Sequence, residues 1–157
     1  MITGIPEKSF LRGKSVIVCI GNVLKGDDGF GPLLAESLRD RTSLRVIDAG
    51  AAPENYLGML IKENPDTVLF VDTADFGGEP GEAKVLRFED FTDSSFFLTH
   101  NASLKLLREF VAAGGVSAEF YILCVQPQTM RFGEEPSAEV VKQAEKITDW
   151  FAANFPG

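Results

Sequence analysis

Short, unbroken apolar runs rich in β-branched residues alternate along this chain with stretches whose apolar residues recur at helical spacing, and few architectures accept that alternation. The segment Ser15 to Ile20, Ser-Val-Ile-Val-Cys-Ile, ends at Gly21-Asn22 and predicts a strand buried on both faces. Phe30, Leu33, Leu34 and Leu38 then predict a helix over 29–40, with Asp28 placed to cap it. The unit repeats as a strand over 44–49 and a helix over 54–63, with Pro53 near its start and Tyr56, Leu57, Leu60 and Ile61 inward. A third strand over 67–72 follows. The pattern loosens through Gly77-Gly78 and Pro80-Gly81 into a strand over 83–88, which comes too soon for a helical crossover and so predicts an antiparallel edge. A helix over 102–112 with Leu104, Leu107 and Val111 on one side stops at Gly114-Gly115. The last strand spans 119–125, and a final helix is capped by Ser137 with Val140, Ala144, Ile147 and Phe151 facing in.

This order implies a three-layer α/β sandwich around a mainly parallel sheet. At 157 residues and 45% hydrophobic content, the chain suffices for one domain with a substantial core. Its 15 basic and 23 acidic residues leave a net charge of −8, without the basic footprint that a phosphate backbone requires, which argues against a nucleic-acid partner. No apolar run approaches the ~20 residues that cross a bilayer, and Met1 to Arg12 mixes charges and Pro6 where an export signal would be apolar. Cys19 and Cys124 each lie inside an apolar run with no flanking base, which predicts buried, non-catalytic thiols and no disulfide framework. The cytoplasm is the expected compartment.

Ligands of such sheets bind beyond the carboxyl ends of the strands. The loop from Gly21 to Asp28, Asp72 at the expected end of the third strand, and the loop after Val125 all fall on that rim, and His100 reaches it if its helix starts there. Asp27 and Asp28 stand side by side in a loop that Gly21, Gly26, Gly29 and Gly31 make flexible, whereas capping a helix needs only one acid. Asp72 follows Val68-Leu69-Phe70-Val71, where a charge must be hydrogen-bonded, paired or bound to a cation. His100 is the single histidine. If Asp28, Asp72 and His100 converge on the rim, they give an O, O, N set that suits a divalent transition metal such as nickel or zinc, although their wide separation matches no local metal motif.

Two other classes use the same residues. Gly26-Asp27-Asp28-Gly29-Phe30-Gly31 imitates a dinucleotide loop, with Asp48 beyond it, but the glycine order is wrong and two carboxylates would repel a pyrophosphate. A phospho-acceptor receiver domain would need acids directly at the end of the first strand and a lysine where Gln126 stands. Ser94-Ser95, Thr99 and Ser103 lie near His100, yet no nucleophile elbow is present.

Taken in order, Gly21-Asn22-Val23-Leu24-Lys25-Gly26-Asp27-Asp28-Gly29-Phe30-Gly31, Asp48-Ala49-Gly50-Ala51-Ala52-Pro53-Glu54-Asn55, Val71-Asp72-Thr73-Ala74-Asp75-Phe76-Gly77, Thr99-His100-Asn101 and Gln126-Pro127 resemble the hydrogenase maturation proteases, most of all the type serving formate-hydrogenlyase hydrogenases. The resemblance implies an α/β sandwich with a mostly parallel five-stranded sheet. It also implies a cytoplasmic endopeptidase that removes a C-terminal extension from the nickel-iron hydrogenase large-subunit precursor after nickel is inserted, and the chain is expected to be a monomer. The metal-contacting and catalytic positions of the family fall on Asp28, Asp72 and His100, with Asp27 the less committed neighbour. Nickel would arrive with the precursor, and no resident cofactor, nucleic acid or membrane is expected. Leu98 and Cys124 depart from residues common in the family, commonly Ser and often Gly, and residues 1–14 look like a leader ahead of a domain over 15–157. The alternative is a non-proteolytic binding module that responds to metal or phosphate.

Overall fold

The computed structural model describes residues 8–92, 97–98 and 101–157. The elements in order are β1 (Ser15–Ile20), α1 (Phe30–Leu38), β2 (Arg45–Gly50), α2 (Leu57–Glu63), β3 (Thr67–Asp75), β4 (Ala83–Arg87), β5 (Phe97–Leu98), α3 (Asn101–Ala113), β6 (Glu119–Val125) and α4 (Ala138–Asn154). Five strands form the main sheet in the order β2-β1-β3-β6-β4, parallel except for β4, which pairs antiparallel with β6 at the edge. The short β5 adds an antiparallel pair to the end of β3, Ala74 with Leu98 and Asp75 with Phe97.

Alternation along the strands sends side chains to two separate cores. On one face Ile17, Cys19, Leu69, Val71 and Leu123 pack against Phe30, Leu34 and Leu38 of α1 and Val140, Ala144, Ile147 and Phe151 of α4. On the other, Val16, Val18, Val68, Phe70 and Ile122 meet Leu60 of α2 and Leu104, Leu107 and Val111 of α3. Every residue of β1 is buried, because it has a strand on each side and helices above and below. The outer strands β2 and β4 keep charges such as Arg45, Asp48, Lys84 and Arg87, which discourage pairing with another sheet.

Residues 8–14 pack onto this sandwich. Phe10 and Leu11 are buried, and the Phe10 ring meets Tyr121 edge-on at 5.2 Å between centroids and stacks on Trp150 at 6.3 Å. The Arg12 N–H donates to Thr67 Oγ1 at 3.3 Å, and the Thr67 hydroxyl donates to the Arg12 carbonyl at 2.8 Å.

Several expected boundaries shift by one or two residues, and two move by three. β3 runs three residues past Asp72, because Thr73 continues the ladder with β6 and Ala74-Asp75 find β5. Asp72 is nonetheless at the rim, since pairing with β1 stops at Cys19 opposite Val71. The second helix begins as a 3₁₀ turn over Pro53–Tyr56 before α2.

Candidate active site

The strand order places a topological switch point between β1 and β3. From β1 the chain leaves to β2 on one side, and β3 lies on the other, so the connections diverge and open a crevice at the carboxyl ends of these two central strands. The loop after β1 carries Asp27 and Asp28, and Asp72 stands near the end of β3; all three are buried, with 0%, 2% and 0% of their surface exposed.

The sequence places Asp28 as a helix cap, and the structure does not. The capping position of α1 is Gly29, no side chain caps the helix, and a 3₁₀ turn over Gly26–Gly29 precedes it. The Asp28 carboxylate turns back instead, and its Oδ2 accepts the Asn22 N–H at 3.1 Å. Its Oδ1 is buried and has no hydrogen-bond partner among the described residues. Such an orphaned acceptor costs about 1–3 kcal/mol, and more when charged, unless a donor or cation meets it.

Asp27 accepts four donors. Its Oδ2 takes the N–H groups of Gln128 and Thr129 at 2.7 and 3.0 Å, and its Oδ1 takes the Ser137 N–H at 2.6 Å. The Ser137 hydroxyl lies 2.9 and 3.0 Å from the two oxygens. Ser137 does occupy the capping position of α4, but its hydroxyl makes no cap bond because Asp27 holds it. The Asp27 backbone reaches the third strand as well: the Thr73 hydroxyl donates to the Asp27 carbonyl at 2.9 Å, and the Thr73 N–H donates to Asp72 Oδ1 at 2.8 Å. One residue therefore joins the loop that carries Asp28, the strand that carries Asp72 and the loop after β6.

The glycines in this loop serve close approach, and the loop is not slack. A Cβ on Gly21 would collide with the Asp28 carbonyl oxygen, and one on Gly31 with the Ile20 carbonyl oxygen. Gln126 clamps the far side of the rim. Its Oε1 accepts the N–H groups of Phe76 and Gly78 at 2.8 and 3.1 Å, and its Nε2 donates to Asp75 Oδ1 at 3.0 Å. That amide, followed by the Gly77 N–H, holds the Asp75 carboxyl below the usual carboxylate range.

Cys124 is the register partner of Asp72 across β3 and β6. Burial first, and then the negative charge of Asp72, push its thiol up to about 12. Burial, with a further contribution from Asp48, also raises Cys19 far above the usual thiol range, so both cysteines are the inert core residues that their apolar flanks predict.

His100 lies outside the described residues, as do Ser94, Ser95 and Thr99. Among the described residues no group of three or more His, Cys, Asp or Glu side chains gathers to hold a metal. Sequence reasoning gave Thr73 and Gln126 no role in the rim. Both stand inside the motifs that carried the resemblance, which was the available signal.

The comparisons with known proteins decide the family. A sequence model of the hydrogenase maturation protease family matches residues 31–153. The chain belongs to that family. The hydrogenase 3 maturation protease of Escherichia coli K12 is 34% identical over 131 residues, 82% of each chain. The solution structure of the endopeptidase HycI from Escherichia coli superposes with a TM-score of 0.77 at 28% identity, covering 92% of this chain and 96% of that one. The crystal structure of the nickel-iron hydrogenase maturation protease HycI from Thermococcus kodakarensis gives 0.73 at 29% identity, covering 89% and 90%. This hydrogenase maturation protease is thus a peptidase of the expected α/β architecture, with its five-stranded, mostly parallel sheet.

Proposed function

We propose that the chain is a cytoplasmic, monomeric endopeptidase that removes the C-terminal extension of a nickel-iron hydrogenase large-subunit precursor once nickel has been inserted. Asp28, Asp72 and His100 would complete the coordination of the nickel that the precursor brings. The protease would need no cofactor of its own. The observation that carries this reading is the buried Asp28 Oδ1, without a hydrogen-bond partner among the described residues, beside an Asp28 Oδ2 already fixed by Asn22. A carboxylate held by one oxygen and orphaned at the other is preorganised for a cation that arrives with the substrate. Asp72, steadied through Thr73, supplies a second oxygen ligand, and neutral His100 the nitrogen. Nickel bound in this way would report that insertion is complete and would bring the scissile bond to the rim. There a carboxylate can accept a proton from the attacking water.

The test is incubation with nickel-loaded and metal-free large-subunit precursor, followed by mass spectrometry. Release of a C-terminal peptide from the loaded precursor alone is expected, with loss of release in Asp28→Asn, Asp72→Asn and His100→Ala. Rapid cleavage of metal-free precursor would remove the role assigned to nickel. Metal-dependent complex formation without cleavage would favour a binding module.

A further inference from the structure

Three large apolar side chains stand far out of the core on the two loops that meet at Asp27. Val23 and Leu24, in the loop after β1, are 63% and 62% exposed, and Phe132, in the loop after β6, is 72% exposed. Among the described residues the other exposed large apolar side chains reach at most 49% and lie on α2 and α3. The two loops are laced together. The Gly133 N–H donates to the Leu24 carbonyl at 2.8 Å, the Gly26 N–H to the Glu134 carbonyl at 3.0 Å and the Asp27 N–H to the Thr129 carbonyl at 2.8 Å. Lys25 Nζ sits 5.5 Å from the centre of the Phe132 ring, a cation–π contact that braces the ring from the neighbouring loop. A backbone fixed on both sides cannot fold these side chains inward, and nothing among the described residues covers them, so a partner is the group that takes them out of water. A groove of about 330 Å³ continues from Val23 past Pro32 and Leu33 to Pro136, apolar along that floor and bordered by the carboxylates of Glu36 and Asp48.

We infer that this laced pair of loops and its groove form the docking surface for the precursor, which lays an extended apolar segment over Val23, Leu24 and Phe132 and sets a carboxylate against Lys25. The inference rests on the function proposed above and adds where and how the substrate is held. Continuity with the site identifies the occupant: Asn22, next to Val23, gives its N–H to Asp28 Oδ2, so a chain covering Val23 and Leu24 runs directly to that carboxylate. Charge points the same way. Lys25 has no carboxylate partner among the described residues, whereas a second copy of a chain with a net charge of −8 would be repelled.

Leu24→Ser, Phe132→Ser and Lys25→Glu test the surface, with Phe110→Ser on α3 as an equally accessible control. Thermal melts should superimpose on wild type. Cleavage of nickel-loaded precursor should lose at least about tenfold in kcat/KM for each apolar substitution, with the loss on KM rather than kcat, and the control should not change. Precursor binding by calorimetry is measured in parallel. If wild type binds but does not cleave, and the substitutions still weaken binding, the docking surface stands and the peptidase reading falls. Unchanged kcat/KM and affinity in all three variants overturn the docking surface and leave the peptidase reading intact. Absence of both binding and cleavage by wild type overturns both. Concentration-dependent dimerisation of wild type that Phe132→Ser abolishes would reassign the patch to self-association and overturn the inference.

Discussion

The Ser137 N–H and hydroxyl both go to the Asp27 carboxylate, across 110 positions of sequence, with the N–H at 2.6 Å from Oδ1. A side chain at the start of the last helix is thereby committed to the first loop, and the acid that stands beside the candidate ligand is committed to the fold. The division of labour between the two adjacent aspartates follows: Asp27 builds the rim, and Asp28, held by Asn22 at one oxygen, is the one to which we give the ligand role.

Asp27→Asn is expected to destabilise the protein by about 2 kcal/mol, because an amide can accept at only one oxygen and turns an NH₂ toward N–H donors. A fall in Tm of roughly 4–8 °C should appear in thermal denaturation. Cleavage should fall too, through displacement of the rim, and lowering the assay temperature should recover part of it. An unchanged Tm would show that the four donors to Asp27 are not worth what their geometry implies.

Asp28→Asn is expected to behave in the opposite way. Its amide oxygen still accepts the Asn22 N–H while the buried orphan charge disappears, so the Tm should hold or rise slightly. Cleavage of nickel-loaded precursor should drop by roughly a hundredfold or more. Wild-type cleavage by a folded Asp28→Asn protein would remove Asp28 from the chemistry.

The buried thiols set an alkaline limit. Cys124 keeps its proton to about 12 in the native protein, whereas an unfolded thiol loses it around its ordinary value of 9.0. The native pKa is the higher, so the stabilisation is complete below the unfolded value and is lost as pH rises from there toward 12. Urea melts should show stability declining over that interval, and Cys124→Ala should decline less steeply. At pH 8 a thiol reagent should label neither cysteine before unfolding.

Phe10→Ala is expected to cost about 3 kcal/mol, the usual penalty for removing a buried aromatic ring. Trp150 loses the ring stacked on it, so its fluorescence should shift to the red in the folded variant. Equal stability and an unshifted spectrum would mean that residues 8–14 do not contribute to the fold.

Apolar runs with β-branched residues fixed β1 and β6 to the residue, because both are buried on two faces and leave no ambiguity of period. The antiparallel edge at β4 was legible from the shortness of its link to β3. The extension of β3 past Asp72 was not, since Thr73, Ala74 and Asp75 are held by β6 and β5, partners that local pattern does not contain. Asp28 shows the same limit at the site. Propensity assigns an acid before a helix to capping, but Asn22 takes one oxygen, and no local rule reveals an unpaired one. The role of Asp27 was hidden because the partners of its carboxylate lie 101 to 110 positions away. His100, read from the resemblance, falls outside the described residues.

The position of β6 governs the order in which this protein can come into being. It lies between β3 and β4, although both are synthesised before it, so β4 has no ladder to join until residues 119–125 emerge. The donors that fix Asp27 come later still, at 128, 129 and 137. A nascent chain on the ribosome therefore carries both carboxylates long before it can hold them in place, and the rim closes only after Ser137 has emerged. Order at this rim is in this sense acquired late in synthesis, and a chain that stops short of Ser137 lacks the contacts that hold its first loop in place.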